Sequence, residues 1–224
     1  KLAASGSIVG FHHRRPINEL QDVLSASDKS PGKLIPLQGD LRVAAERDKL
    51  IPQFTEIAGG LDALINNAGA VKDYKDFRKL PISSWEETMH VNATAPFALC
   101  QAAWPHFEAN GGGRIINISS AAVGYGGGAS GVHYVAAKAA LEAVTKSLSK
   151  AGAKENILVN TVRCGVIETP MHSRIEGYDE EKFKKRIDMI PIGRAGDPAE
   201  VAELVAFLIS RHGAFITGEI ISIS

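Results

Sequence analysis

Short apolar segments that alternate with longer helical segments are the feature that most constrains the fold of this chain. The segments suited to strands are 7–12, 33–38, 61–66, 114–119, 157–163 and 216–223. Helical patterns separate them at 16–24, 44–58, 83–107, 132–151, 179–189 and 198–210. Strands that are apolar on both faces and joined by helices belong to a parallel sheet covered on both sides. The sequence therefore predicts an α/β fold with a doubly wound, mostly parallel sheet, and ligands at the carboxyl ends of its strands.

Prolines and glycines refine the expected ends of these elements. Pro36 cannot donate to a strand ladder, so the second strand is expected at an edge of the sheet. Pro52 should kink or shorten the helix predicted at 44–58. Lys1–Gly6 has the pattern of a last helical turn that ends at a glycine, and we expect a further N-terminal segment before it.

Composition limits the classes of function that this chain can have. The 224 residues include 25 Lys plus Arg and 25 Asp plus Glu, so the formal net charge is zero. This balance argues against a protein built mainly to bind nucleic acid or an anionic membrane. Cys100 and Cys164 form no CxxC pair, which fits a reducing, cytoplasmic compartment, and Cys100 is expected in the core. No linker or repeat interrupts the alternation, so residues 1–224 are predicted to form one domain.

The strongest candidate for chemistry is the set Ser120, Tyr134 and Lys138. The tyrosine and the lysine are four residues apart in a predicted helix, where their side chains are neighbours. A free phenol has a pKa of about 10, and a nearby ammonium should lower it enough for general acid or base catalysis. Ser120 ends the preceding strand, so its hydroxyl is expected at the same edge of the sheet, where it could bind a substrate carbonyl.

Three further sequence patterns could each suggest a functional site, but we interpret them differently. Tyr178 and Lys182 have the same spacing but enclose three acidic residues, as on a solvated helix face. Gly124–Ala129 fits a dinucleotide-binding spacing, yet it starts several residues after its strand, and its nearest acid, Glu142, lies in mid-helix. We interpret it as a flexible wall beside the site. The seven histidines lack metal-ligand spacing, so no metal is expected.

Several segments together resemble the short-chain dehydrogenase/reductase family. They are Asn66-Asn67-Ala68-Gly69, the asparagine Asn92, the set Ser120, Tyr134 and Lys138, and the segments 163–170 and 191–198. The resemblance implies a seven-stranded Rossmann-type dinucleotide-binding and catalytic domain, with its first strand and glycine-rich loop expected before Lys1. Relatives usually have proline at position 164. The gap from Ser120 to Tyr134 is one residue longer than is common, which keeps Ser119 as a weaker alternative.

The resemblance also implies the residues of the site. Asn92 would hold a water relay behind the lysine, and the catalytic set would be Asn92, Ser120, Tyr134 and Lys138. Contacts to a dinucleotide are expected from Asp40, Leu41, Asn67, Ala68, Gly69, Tyr134, Lys138, Gly165, Ile167 and Thr169. For Asp40, the alternative is a cap for the helix that begins near Ala44.

Charges at the end of the first predicted strand bear on the choice of cofactor. A family member that uses NAD usually places an acid there to accept a hydrogen bond from the ribose. Here the chain continues through Arg14 and Arg15, with no acid until Glu19. These arginines favour NADP(H), because they suit a 2′-phosphate, although NAD(H) is possible. The alternative is a solvated basic turn.

These inferences predict an NADP(H)-dependent oxidoreductase that interconverts a carbonyl and a secondary alcohol. Its small-molecule substrate could be a 3-oxoacyl group on a carrier protein or a free ketone, sugar or steroid; Arg174, Lys184 and Lys185 are basic residues that a carrier could use. The segment 171–190 is predicted as a substrate lid. The resemblance implies a homodimer or homotetramer packed through 92–107 and 134–151. A nucleotide-binding scaffold without turnover is the alternative from another class.

Overall fold

A computed structural model of the chain describes residues 1–27, 29–169 and 179–224. The strands are β1 (Ile8–His13), β2 (Lys33–Gln38), β3 (Ala63–Asn66), β4 (Gly113–Ser120), β5 (Ile157–Cys164) and β6 (Ile220–Ile223). The helices are α1 (Gln21–Ser27), α2 (Ala44–Arg47), α3 (Leu50–Ala58), α4 (Ile82–Met89), α5 (Ala95–Ala109), α6 (Ala122–Tyr125), α7 (Val132–Gly152), α8 (Glu180–Asp188) and α9 (Pro198–Ile209). Strands and helices alternate as the sequence predicts, so the α/β class is confirmed.

All the strand pairs of the described residues are parallel. One sheet pairs β1 with β2, and a second sheet has the order β3-β4-β5-β6. Pro36 lies in β2, which has a ladder partner on one side only, as its missing N–H requires. Within the described residues, no ladder joins β1 to β3. A single seven-stranded sheet therefore stays a prediction.

The four-stranded sheet is buried on both faces. Ile115 and Ile116 are consecutive residues of β4 and both are fully buried, but they point to opposite sides. Ile115 packs with Phe107 of α5, and Ile116 packs with Leu208 of α9. Each face therefore has its own apolar cluster, and the polar ends of the strands are left for the site.

The helix predicted at 44–58 is divided into α2 and α3. The break lies at 48–49, and Pro52 is the third residue of α3. A proline in the first turn of a helix costs little, because its missing N–H would have no partner there.

The helix predicted at 83–107 is interrupted by one turn of π-helix, His90–Thr94, between α4 and α5. The N–H of Ala95 donates to the carbonyl of His90, five residues back. Pro96 follows, and it has no N–H to donate to the carbonyl of Asn92. The wider turn therefore fits the sequence, and π-turns are common at functional sites.

Candidate active site

The structure brings together the three residues that the sequence singles out. Ser120 is the last residue of β4, and Tyr134 and Lys138 lie on the first turns of α7. The Ser120 hydroxyl shares a hydrogen bond with the Tyr134 phenol. The Lys138 Nζ lies 5.7 Å from the centroid of the tyrosine ring. A hydroxyl, a phenol and an amine therefore meet at the carboxyl edge of the sheet.

Lys138 is buried almost completely, with 3% of its surface exposed. Its Nζ donates to the carbonyl oxygen of Ile118 at 2.8 Å. Burial disfavours the charged ammonium and lowers the pKa of Lys138 to about 8. An ammonium has three N–H donors, so two more are left for a ligand at this edge.

The pKa of Tyr134 differs from the sequence-based expectation. Burial raises it to about 12, because the phenolate loses hydration, and the hydrogen bond with Ser120 offsets only part of this effect. The Lys138 amine donates to the Ile118 carbonyl and lies over the ring face. The expectation that this amine lowers the phenol pKa is therefore wrong for the protein without nucleotide, in which the phenol holds its proton at neutral pH.

Asn92 lies on the π-turn and is fully buried. Its Nδ2 donates to the carbonyl oxygens of Ala70 at 2.6 Å and Thr88 at 2.9 Å. Its Oδ1 is buried without a hydrogen-bond partner in the described structure. A buried acceptor of this kind is a place for a water molecule or another donor.

Gly69 faces both Asn92 and Lys138. A Cβ built on Gly69 would lie 2.9 Å from the Asn92 Oδ1 and 3.3 Å from the Lys138 Nζ. The absence of a side chain at Gly69 therefore makes room for the two buried polar groups, which approach its backbone closely. Asn67 and Gly69 are exposed, and Ala68 is half-buried, so this segment borders the site.

Ser119, the weaker alternative to Ser120, is bound elsewhere. It is buried, and its hydroxyl donates to the Glu142 Oε1 at 2.7 Å. Glu142 also accepts two hydrogen bonds from the Arg163 guanidinium, at 2.9 and 2.6 Å. The hydroxyl beside the phenol is that of Ser120, so the geometry selects Ser120.

The segment that follows β5 is held by backbone hydrogen bonds. The N–H of Gly165 donates to the Ile223 carbonyl at 2.8 Å, and Ile167 forms a parallel bridge with Gly196. Thr169 is exposed and is the last residue described before the gap. Of the predicted lid, residues 171–178, with Arg174 and the alternative tyrosine Tyr178, lie outside the described residues, whereas 179–190 are described and include α8.

Charged side chains surround Asp40 at the ends of β1 and β2. The Arg42 guanidinium, with its hydrogen bonds, is the main cause that lowers the pKa of Asp40 to about 2, and the charge of Arg14 adds to it. Arg14 and Asp40 line a pocket of 340 Å³ together with Lys49. Arg15, by contrast, is 3.8 Å from the carboxylate of Glu19. Arg14 is therefore the better placed of the two arginines.

The sequence reasoning missed Arg42, although an acid and a base two residues apart after a strand were a visible signal. Asp40 does not cap the helix near Ala44: Val43 is at that position, and no side chain caps it. Leu41 is buried in the core beside Leu50, so only its backbone can reach a ligand. The capping alternative is therefore wrong.

Other predictions concern residues near the site. Cys100 is buried, as expected, and burial raises the pKa of its thiol to about 12. In the glycine-rich segment, a Cβ on Gly127 would lie 2.5 Å from the Val135 Cγ2, so this segment packs against the start of α7. Among the described residues, no cluster of three or more potential metal ligands occurs, and no helix has the length and hydropathy of a membrane span.

Comparisons with known proteins identify the family of the chain. The family model described as enoyl-(acyl carrier protein) reductase matches residues 1–224. The 3-oxoacyl-[acyl-carrier-protein] reductase FabG of Aquifex aeolicus is 40% identical, over 100% of this chain and 88% of its own length. A dehydrogenase/reductase from Sinorhizobium meliloti 1021 superposes with a TM-score of 0.89 at 30% identity, covering 99% of this chain and 85% of its own.

A further solved structure, a blue fluorescent protein from a metagenomic library in complex with NADPH, has a TM-score of 0.87 at 26% identity. It covers 99% of this chain and 88% of its own. The fold and the relatives define a nucleotide-binding oxidoreductase that acts on carbonyl and alcohol groups. The chain belongs to the short-chain dehydrogenase/reductase family.

Proposed function

We propose that this protein is an NADP(H)-dependent oxidoreductase that interconverts a carbonyl and a secondary alcohol, with Asn92, Ser120, Tyr134 and Lys138 as its catalytic residues. The observation that carries the proposal is the hydrogen bond between the Tyr134 phenol and the Ser120 hydroxyl, beside the buried Lys138 amine. A donor pair of this kind suits a carbonyl oxygen that becomes negative during reduction.

The residues present fit a dinucleotide. Lys138 has N–H donors besides the one bonded to Ile118, and these could bind a ribose; Gly69 lacks a Cβ, which makes room for the Lys138 amine at this position. The unpartnered Oδ1 of Asn92 fits a water molecule between the amide and the amine. Gly165, Ile167 and Thr169 would contact the nicotinamide amide, as the family resemblance implies. When bound, the reduced dinucleotide supplies a hydride, that is, two electrons and a proton nucleus.

The side chains of the protein then supply the proton and the orientation. The Ser120 hydroxyl donates to the substrate oxygen and fixes the carbonyl beside the phenol. Tyr134 transfers its proton to the same oxygen, so that the alkoxide becomes an alcohol as the carbon accepts the hydride. Lys138 would hold the ribose of the nucleotide with its remaining N–H donors, and a water held by Asn92 would return the proton to the site.

Replacement of Tyr134 by phenylalanine tests the mechanism. Tyr134→Phe removes the proton donor and keeps the ring, so kcat should fall by about 100-fold or more. Turnover is measured as oxidation of NADPH and NADH with 3-oxoacyl thioesters, enoyl thioesters, small ketones, sugars and steroids. Tyr74→Phe is the matched control, since it also removes a phenol hydroxyl, and Tyr74 packs against Gly131 outside the proposed catalytic set.

The outcomes separate the alternatives. Equal turnover by wild type and Tyr134→Phe would contradict the mechanism. Tight NADPH binding without turnover of any substrate would support the non-catalytic scaffold. Reduction of the enoyl but not of the 3-oxoacyl thioester would mean that the double bond, and not the carbonyl, is the group reduced.

The choice of cofactor has its own test. Arg14 adds positive charge near Asp40 at the end of β1, as a 2′-phosphate requires. We expect Arg14→Ala to weaken NADPH binding by about tenfold, the size of one charge-assisted hydrogen bond, and to leave NADH binding nearly unchanged. Dissociation constants are measured by nucleotide fluorescence, with the exposed Arg211→Ala as control. An equal loss for both nucleotides would reject the NADP(H) preference.

The remaining proposals concern surroundings and assembly. Both cysteines are free, which supports a reducing, cytoplasmic compartment. Phe97 on α5 is 39% exposed, which supports a homodimer or homotetramer that covers this helix. Lys184 and Lys185 lie on α8 and are exposed, so an acidic carrier protein is a candidate to present the substrate.

A further inference from the structure

Three consecutive residues of β4 are joined to α7 by polar contacts. The Asn117 Nδ2 donates to the Thr145 Oγ1 at 2.8 Å. The Ile118 carbonyl accepts from the Lys138 Nζ at 2.8 Å, and the Ser119 hydroxyl donates to the Glu142 Oε1 at 2.7 Å. We call this set the α7–β4 seam; its members are Asn117, Ile118, Ser119, Lys138, Glu142 and Thr145.

The seam uses the helix face that carries the catalytic tyrosine. Tyr134, Lys138, Glu142 and Thr145 follow each other at spacings of four, four and three residues. Such residues lie on one side of an α-helix. A movement of α7 along β4 therefore changes the position of Tyr134 and breaks the seam at the same time.

Thr145 is the most heavily engaged residue of the seam. It is fully buried, and besides Asn117 it contacts the Thr161 hydroxyl of β5 at 2.8 Å and the Leu141 carbonyl at 3.1 Å. Asn117 in turn accepts from the Asn66 Nδ2 of β3 at 2.8 Å. The hydroxyl of Thr145 therefore ties α7 to the three neighbouring strands at a single level of the sheet.

This level lies directly below the site. Asn66 and Asn117 are ladder partners, and Asn117 pairs with Thr161. The residues that follow them in β3 and β4 lead into Asn67 and Ser120. A hydrogen bond tolerates only a few tenths of an ångström, whereas one residue of a helix rises about 1.5 Å. Only one position of α7 along the sheet thus satisfies all the buried groups of the seam.

We propose that Thr145 and Glu142 are positioning residues, which set the place of α7 on β4 and thereby hold the Tyr134 phenol against Ser120. The inference rests on the proposed function and deepens it. Neither residue touches the reacting atoms. Arg163 supports Glu142 through its two hydrogen bonds, so the carboxylate keeps one orientation toward Ser119.

Thr145→Val tests the proposal, because it removes the hydroxyl and keeps the shape of the side chain. A small misplacement of a proton donor lowers kcat far more than it lowers binding, so we expect kcat to fall about tenfold or more. The KM for the carbonyl and for the dinucleotide should stay within about threefold, because the binding groups remain. Thr145→Ser, which restores the hydroxyl, should recover most of kcat.

The matched control is Ser149→Ala. Ser149 lies on the same helix and is buried, and its hydroxyl donates to the Lys146 carbonyl of its own helix. This variant loses a buried hydroxyl without touching β4, so it should lose thermal stability yet keep kcat within about twofold. A general weakening of α7 would lower kcat in both variants, whereas the seam lowers it in Thr145→Val alone.

A second measurement is independent of turnover. In nucleotide-free protein with ¹³C-labelled tyrosine, the Tyr134 resonance, assigned by its loss in Tyr134→Phe, reports the phenol pKa. Thr145→Val should move this pKa from about 12 toward the ordinary value, since a displaced ring is less buried, and Ser149→Ala should not.

The two proposals fail separately. If wild type reduces no carbonyl, the proposed function fails and the resonance alone decides the role of the seam. The inference is overturned if Thr145→Val titrates like wild type, if Ser149→Ala shows the same change, or if kcat of Thr145→Val in an active enzyme stays within twofold of wild type.

Discussion

Tyr134 and Lys138 have pKa values shifted in opposite directions by one cause. Burial disfavours the charged form of each group, and the charged form is the phenolate in one case and the ammonium in the other. The phenol pKa is therefore raised to about 12 and the lysine pKa lowered to about 8. Burial therefore favours the uncharged form of each group, although an amine with a pKa of about 8 is still mostly an ammonium at pH 7.

These shifts make the stability of the nucleotide-free protein depend on pH. The lysine pKa is about 8 in the folded chain, against an ordinary value of 10.5 for the unfolded one, so between these values the folded chain binds fewer protons. Stability from Lys138 therefore rises with pH over this window. For Tyr134 the folded pKa is the higher one, so stability is lost between about pH 10 and 12.

We expect Lys138→Met to be more stable than wild type at pH 7, with an advantage that shrinks by roughly 1–3 kcal/mol between pH 8 and pH 10. The free energy of unfolding is measured by urea denaturation at several pH values in that range. Lys146→Met, an exposed lysine on the same helix, is the control and should run parallel to wild type. A constant difference between Lys138→Met and wild type would contradict the shift.

At this scale the sequence was informative about proximity but not about environment. Spacing alone predicts that Tyr134 and Lys138 are neighbours, because the helix period fixes it. The pKa direction of Tyr134 depends on how deeply the ring lies between α7 and the end of β4, which no local pattern reveals. The same holds for Ser119 and Ser120, which differ only in the partner that the fold brings to each.

At the scale of elements, helix starts with a strong local signal were predicted well. The helix expected at 198–210 is α9, Pro198–Ile209. The π-turn at Asn92 was not predicted. Its hydrogen bond spans five residues instead of four, and a single added residue does not change the apolar pattern of the helix visibly. The break at 48–49 was not predicted. The sequence analysis expected a disturbance at Pro52, but proline is tolerated in the first turn of a helix.

The start of α9 gives a stability prediction. The Asp197 Oδ1 accepts from the N–H of Ala199, and Glu200 accepts from the N–H of Asp197, which is a capping box. Asp197→Ala should lower the free energy of unfolding by about 1 kcal/mol. Thermal and urea unfolding are measured beside Asp62→Ala, an exposed aspartate outside any helix cap. Equal stabilities of the two variants would show that the cap contributes nothing.

At the scale of the whole molecule, we expect the protection of backbone amides from hydrogen exchange to differ between strands. The central strands β4 and β5 share eight ladder pairs, and Ile115 and Val159 within them are fully buried. The strands β1 and β2 share six ladder pairs, and several of their residues are exposed. We expect amide exchange in β1 to be at least about tenfold faster than in β5, because local opening is easier where burial is low.

Hydrogen exchange with mass spectrometry resolves these strands in nucleotide-free protein. Equal protection of β1 and β5 would mean that the two sheets unfold as one unit. The parallel α/β class was predictable because runs of apolar residues between helices leave few alternatives. The strand order β3-β4-β5-β6 was not, since the sequence of a strand does not specify which strands lie beside it.

Ser119 and Ser120 are adjacent in sequence, yet the fold gives their hydroxyls different hydrogen-bond partners. The Ser119 hydroxyl is committed to a buried carboxylate that an arginine also holds. In a variant without Ser120, the Ser119 hydroxyl could replace it only by giving up its hydrogen bond to Glu142. The buried carboxylate would then lose one of its donors. The two adjacent serines are therefore not interchangeable.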